Sequence, residues 1–145
     1  KINVQNFLKI KNEQIYDLII LDAPCSAIGT IRRHPEIFFK KNKPNFNELI
    51  NIQYELLIKS SEMIKEGGIL IYMVCSFFKN ETTYQIEKFI KNKKNFEIKK
   101  FNYKKNNLSK KISLDSNFLL TYPSTILEET KIDGYFAAQL VKKYD

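Results

Sequence analysis

Residues 16–25 read YDLIILDAPC, a near-continuous apolar run that ends at an acid, a proline and a thiol. A short apolar run bounded by turn residues is the mark of a strand buried on both faces of a parallel sheet. Pro24 stops the ladder because it has no N–H to donate. Downstream, residues 46–65 (FNELINIQYELLIKSSEMIK) space Leu49, Ile52, Leu56 and Ile64 near the helical repeat, with Gly67 and Gly68 in the position of a helix stop. GILIYMVCS then reads as a second buried strand. NETTYQIEKFIKNKKN reads as a second helix capped by Asn80, with Tyr84, Ile86, Phe89 and Ile90 on its apolar side. FEIKKFNY is a further strand with partial alternation, and DGYFAAQLVKK a turn at Asp133 and Gly134 entering a last strand. Strand, crossover helix, strand and helix imply an α/β fold with helices on both faces of the sheet.

No internal repeat or linker interrupts the chain, and 145 residues with 43% apolar content suffice for one domain with a sizeable core. No stretch approaches the roughly 20 apolar residues of a membrane helix, and the opening KINVQNFLKIKNEQ lacks the apolar segment of a signal peptide. A cytoplasmic location without a membrane partner is therefore expected. Lysine and arginine outnumber aspartate and glutamate by 24 to 16, a net charge of +8 that favours a polyanionic partner such as nucleic acid. Residues 104–111 (KKNNLSKK) read most simply as a solvated loop, with RNA contact the sharper alternative. Abundant Asn, Lys and Ile point to compositional drift, which makes one detail informative: Arg32 and Arg33 are the only arginines. Where lysine serves for ordinary charge, two arginines mark sites that need a planar, multi-donor guanidinium.

Two cysteines, Cys25 and Cys75, are too few for a disulfide framework. Each follows a strand, and in open α/β sheets ligands bind beyond the carboxyl ends of the strands. With adjacent strands about 4.8 Å apart, the two thiols can face one small pocket. Four chemistries compete there. Free cysteines can be small buried hydrophobes; a disulfide is disfavoured inside a cell. Cys25, Cys75, His34 and Asp22 would be enough ligands for zinc, but no close C-x-x-C pair is present, so no metal is expected. Nucleophilic catalysis needs a thiol pKa lowered by a cation or a helix N-terminus. His34, followed by Pro35, reads as a structural or substrate-contacting turn rather than a general base.

DAPCSAIGTIRRHPEI closely resembles the Asp-Ala-Pro-Cys-Ser motif and Arg-Arg-His-Pro extension of the RsmB/Sun-type RNA cytosine-5 methyltransferases, which use S-adenosylmethionine. GGILIYMVCSFFKNETTYQI resembles that family's second cysteine motif, and DGYFAAQLVKK the segment that opens its terminal strand. The resemblance implies a partial Rossmann-like class I methyltransferase fold, its sheet mostly parallel with an antiparallel C-terminal strand. It also implies methyl transfer to C5 of a cytosine in RNA, with ribosomal RNA as the substrate class, through a covalent adduct of cysteine with C6. On the family pattern Cys75 is the nucleophile and Cys25 assists adduct breakdown or product release. Asp22 contributes to the cofactor and target-base pocket, Pro24 stiffens the loop around the base, and Arg32, Arg33 and His34 contact RNA beside an extruded nucleotide.

Three departures accompany the resemblance. Val74 replaces the usual Thr before the second cysteine, removing a hydroxyl; the acidic segment after it keeps only Glu81; and Asn6 stands where an acid would contact the cofactor's adenine, an amide oxygen that still accepts a hydrogen bond. No Gly-rich cofactor loop follows a strand anywhere in the chain. Residues 1–145 are therefore expected to be the C-terminal part of one S-adenosylmethionine-dependent catalytic domain, partnered by a missing N-terminal half and inactive alone. The other hypothesis is a catalytically inactive RNA-binding or ribosome-assembly module derived from this fold.

Overall fold

In a computed structural model of the chain, describing residues 4, 6–11, 14–39, 41, 45–101, 117–127 and 130–144, β1 (Tyr16–Asp22) pairs in parallel with β2 (Ile64–Val74). Helix α1 (Phe46–Glu62) crosses between them, and α2 (Thr83–Asn92) leads from β2 to β3 (Phe96–Lys99). After β4 (Phe118–Leu120) and a small separate hairpin, β5 (Ile126–Leu127) with β6 (Thr130–Lys131), the last strand β7 (Phe136–Lys142) enters the main sheet. Its order is β1-β2-β7-β3, with β4 also on β7. Because β7 is antiparallel to β2, β3 and β4, those three share the direction of β1. The sheet is mostly parallel with one reversed C-terminal strand, as the resemblance implies. Residues 104–111 lie outside the described residues.

Helices on both faces is the expectation that fails among the described residues. Both crossovers advance in the same direction along the sheet, and right-handed connections then deposit both helices on the same face. That face carries the buried Leu70, Tyr72 and Val74 of β2 and Phe136, Ala138 and Leu140 of β7. The helices also touch each other, Gln85 Nε2 donating to Gln53 Oε1 at 3.2 Å. On the opposite face β2 and β7 are only half-buried. β1 departs further from the expected doubly buried strand: Leu21 is buried, but Leu18 and Ile20 are 51% and 60% exposed. As the terminal strand of the described sheet, β1 has a neighbour on one side.

Two boundaries also move. Helix α1 ends at Glu62 and β2 begins at Ile64, so Gly67 and Gly68 lie inside a strand rather than stopping a helix. They form a bulge: between Tyr16↔Ile64 and Leu18↔Ile69, β2 advances five residues while β1 advances two. Gly67 has φ +72, and a side chain there would meet the Tyr144 hydroxyl. Helix α2 starts at Thr83; Asn80 belongs instead to a 3-10 turn, Lys79–Glu81. Tyr84, expected inside, is half exposed, while Ile86 and Phe89 are buried. On α1 the buried positions include Gln53, Leu57, Ser60 and Ser61, and Ile52 faces out.

Gly67→Ala places a Cβ in the left-handed region, which costs about 1–2 kcal/mol, while the exposed Tyr144 ring can swing aside. The expected result is a lower urea midpoint at unchanged m-value, with Gly67→Asn losing less because asparagine tolerates that conformation.

Candidate active site

Both cysteines stand where their strands run out. Asp22 closes β1 and the chain turns through Ala23 and Pro24 to Cys25; Val74 closes β2 and Cys75 follows. Their Sγ atoms are 3.2 Å apart, both side chains half-buried and free of disulfide. Two thiols so close share a proton unequally. Cys75 is held down to about 7, first by the hydrogen bond from the Cys25 thiol and also by a backbone hydrogen bond, against burial and the nearby carboxylates of Asp22 and Glu81. Cys25 is pushed strongly upward by donating that bond and by its burial. Cys75 is therefore the more acidic thiol of the pair and Cys25 the one that keeps its proton longer.

What brings the two loops together is a carboxylate. Glu81 is fully buried, and its Oε1 accepts from the Ser26 N–H at 2.8 Å and Gln53 Nε2 at 3.0 Å. Its Oε2 accepts from the hydroxyls of Ser26 and Ser76, both at 2.6 Å. These serines directly follow Cys25 and Cys75, so one side chain clamps both cysteine loops. Gln53 extends the clamp by donating to the Pro24 carbonyl at 2.9 Å, and the Tyr72 hydroxyl donates to the Glu81 carbonyl at 2.8 Å. In the sequence alone Glu81 stands out only as a surviving acid, and nothing marks Gln53. The available signal was the repeated Cys-Ser pair, two hydroxyls needing one acceptor.

A backbone junction adds the third loop. Gly29 N–H donates to the Cys75 carbonyl at 3.0 Å, and Gly134 N–H to the Gly29 carbonyl at 2.8 Å. A Cβ on Gly29 would collide with the backbone of Gly134. Next to it, the Asp133 carboxylate, almost fully buried, takes both arginines: Arg33 Nε at 2.6 Å and Arg32 Nη2 at 3.2 Å. The guanidinium of Arg33, with that of Arg32, holds Asp133 below the usual carboxylate range. The arginine side chains stay 37% and 51% exposed, so each is fixed at one edge and presents other N–H donors to solvent.

The remaining expected residues divide. Asp22 is exposed, with its carboxylate near enough to Cys75 to oppose its ionisation. Exposed Pro24 lies in the loop before Cys25. His34 Nδ1 turns to Glu36 Oε1 at 3.0 Å on the surface. Asn6 is occupied locally, its Oδ1 accepting from Leu8 N–H at 3.0 Å to cap the turn Phe7–Lys9. Val74 points into the apolar core, 1% exposed, so the hydroxyl missing there is missing from the core side rather than from beside the thiols. Among the described residues, no group of three or more His, Cys, Asp or Glu converges to hold a metal, and no helix is long and apolar enough to cross a membrane.

Residues 1–141 match the family model for the 16S rRNA methyltransferase RsmB/F. Ribosomal RNA small subunit methyltransferase B of Cronobacter sakazakii is 34% identical over 133 residues, covering 90% of this chain and 27% of that protein. The protein of the same name from Escherichia fergusonii is 47% identical over 75 residues, 52% of this chain and 18% of its own length. The chain thus spans about a fifth to a quarter of these relatives. Among solved structures, a methyltransferase homolog protein from Pyrococcus horikoshii superimposes with a TM-score of 0.66 at 27% identity, covering 90% of this chain and 40% of that one. NSun6 from the same organism, solved with SFG, gives 0.76 at 21% identity over 100% of this chain and 35% of that one. With the class I methyltransferase sheet in place and the family match running over nearly its whole length, the chain belongs to the RsmB/F methyltransferase family.

Proposed function

We propose that the protein carrying this chain transfers a methyl group from S-adenosylmethionine to C5 of a cytosine in RNA, with ribosomal RNA as the substrate and a cytoplasmic location to match. The observation that carries this reading is the pair of thiols 3.2 Å apart beyond the ends of β1 and β2, with the acidity of Cys75 raised by its neighbour. C5 of cytosine is too weak a nucleophile to take a methyl group unaided. The Cys75 thiolate adds to C6, and the C5=C6 electrons become available at C5. C5 would then take the methyl carbon as that carbon's bond to the cofactor sulfur breaks and leaves a neutral thioether; a base removes the C5 proton, whose bonding electrons rebuild C5=C6 and expel Cys75 as the thiolate. Cys25, beside that bond, assists the breakdown.

RsmB/F methyltransferases use S-adenosylmethionine, which supplies the electrophilic methyl carbon when bound. The described residues fit it in part. Asp22, exposed at the end of β1, would accept a hydrogen bond from the cofactor or from the cytosine amine. Asn6 Oδ1 already accepts from the Leu8 N–H, so an adenine amine would use its second lone pair. All four glycines, Gly29, Gly67, Gly68 and Gly134, serve close approaches elsewhere in the fold, so we assign the nucleoside cradle to an N-terminal half of the same domain. Arg32 and Arg33, held by Asp133, would bind phosphate beside the target base, with His34 at the margin.

Incubated with ribosomal RNA and labelled cofactor, the full-length protein is expected to form 5-methylcytosine, and Cys75→Ala to form none. Cys25→Ala is expected to accumulate an RNA-protein adduct that survives denaturing electrophoresis. Methylation that persists in Cys75→Ala would overturn the assignment, and RNA binding without methyl transfer by the intact protein would favour the inactive RNA-binding module instead.

The thiol pair also predicts a pH profile. Iodoacetamide alkylation of Cys75 follows its thiolate, so it should rise with pH and reach half its plateau near pH 7. In Cys25→Ala the donor is gone and burial still opposes ionisation, moving the midpoint up to about 8.5 or beyond. Mass spectrometry of the labelled peptide measures both.

Glu81→Gln and Glu81→Ala separate the clamp from the chemistry. Removing the acceptor leaves buried donors on Ser26, Ser76 and Gln53 unpaired, at a cost of about 3 kcal/mol or more. Glutamine keeps the shape and one acceptor oxygen, so it is expected to lose less in urea unfolding and, by removing a negative charge that opposes Cys75 ionisation, to leave the Cys75 alkylation midpoint at or below that of the parent, whereas alanine lets the loops part and moves it up toward an ordinary thiol.

A further inference from the structure

A groove of about 310 Å³ opens between the start of α1 and the turn after Cys75, lined by Phe46, Phe78, Lys79 and Asn80. A second hollow of about 200 Å³ shares Asn80 and continues toward Tyr84 and Lys88. The reaction proposed above uses neither. Phe78 is 41% exposed, so part of its ring is open to the groove. Its edge-on contact with Phe46, centroids 5.8 Å apart at 87°, turns the face of one ring against the edge of the other rather than stacking the two faces together.

The aromatic contacts also continue toward the thiols. Phe78 meets Phe77 at 5.5 Å, and Phe77 meets Tyr122 at 5.7 Å, while Cys75 lies three residues before Phe78. Cations flank the same surface: Lys79 lines the groove, and Lys88 lines the second hollow, its ammonium 4.0 Å from the centre of the Tyr54 ring. Aromatic rings interleaved with lysines and an amide suit a single nucleic-acid strand, whose bases stack and whose phosphates need charge. An apolar protein segment would leave the lysines without a purpose.

We propose that the groove between Phe46 and the Phe78, Lys79, Asn80 turn seats a base flanking the target nucleotide in single-stranded RNA, with Lys79 and Lys88 taking the phosphates of that strand. The inference rests on reading the protein as an RNA methyltransferase, and it adds a docking site that sets which neighbouring nucleotides the enzyme accepts. Phe78 supplies the stacking face and Asn80 the amide that can hydrogen-bond a base edge.

Fluorescence anisotropy with a labelled single-stranded oligoribonucleotide tests it in the full-length protein. Phe78→Ala is expected to weaken binding about tenfold, the scale of one lost base stack, and Phe78→Leu equally, since leucine keeps the apolar volume but not the ring. Phe78→Tyr should retain affinity. Lys79→Glu, at an exposed position that leaves the core intact, should weaken binding and flatten its salt dependence. Lys65→Glu, the same reversal of charge at the opposite ends of the strands, serves as the control and should change little. At saturating RNA the Phe78 and Lys79 variants should recover the parent kcat, so that the loss appears in KM. If the parent protein binds and methylates RNA while Phe78→Leu and Lys79→Glu bind as tightly as it does, the groove is not the site and the methyltransferase reading stands. If the parent neither binds nor methylates RNA, both fall.

Discussion

The site depends on one buried carboxylate. Taking Glu81 out of water without a cation beside it is unfavourable, and only full hydrogen bonding offsets that cost. Four donors supply it: the Ser26 N–H, the Ser26 and Ser76 hydroxyls, and the Gln53 amide. They come from the loop after β1, the loop after β2 and the middle of α1. Satisfying the charge therefore requires those three segments to converge, and the convergence leaves the two cysteines, each one residue before a serine, in contact. The acid does no chemistry on substrate, yet the separation of the sulfurs is set by it.

Around this clamp the sheet topology adds a ceiling. Because β7 runs against its neighbours, the turn that precedes it arrives at the same end of the sheet as the loops that follow β1 and β2. Gly29 is small enough to sit between the Cys75 and Gly134 backbones and bond to both. Asp133 then anchors the two arginines. The cluster of uncommon residues at 22–34 is thus a consequence of a meeting of three loops, with Arg32 and Arg33 serving structure at one edge of each guanidinium and remaining available at the other.

Much of this was legible in residues taken in order. The strands at 16–22 and 69–74, the final strand after Asp133 and Gly134, and the common end of the two cysteine strands follow from apolar runs and turn residues, which are local signals. What escaped is non-local. Gly67 and Gly68 look like a helix stop until β1 supplies a partner for the residues before them. Gln53 looks like a polar position on an amphipathic helix until Glu81 and Gln85 reach it from across the molecule. Asp133 looks like half of a turn, though its carboxylate is an ion-pair anchor 100 residues from Arg33. Hydrophobicity alone predicts burial for Leu18 and Ile20, whereas burial depends on what covers a strand, and nothing among the described residues covers that side.

That uncovered side of β1 couples the edge of the sheet to its chemistry. Leu18, Ile20 and Asp22 alternate along one face of a terminal strand, and the chain passes directly from Asp22 through Pro24 to Cys25. Whatever lies along β1, by adding a strand or covering its apolar residues, grips the same rigid segment that carries the proton-donating thiol. Since the acidity of Cys75 depends on the hydrogen bond from Cys25, the packing of that edge and the state of the sulfur pair share one short segment of backbone.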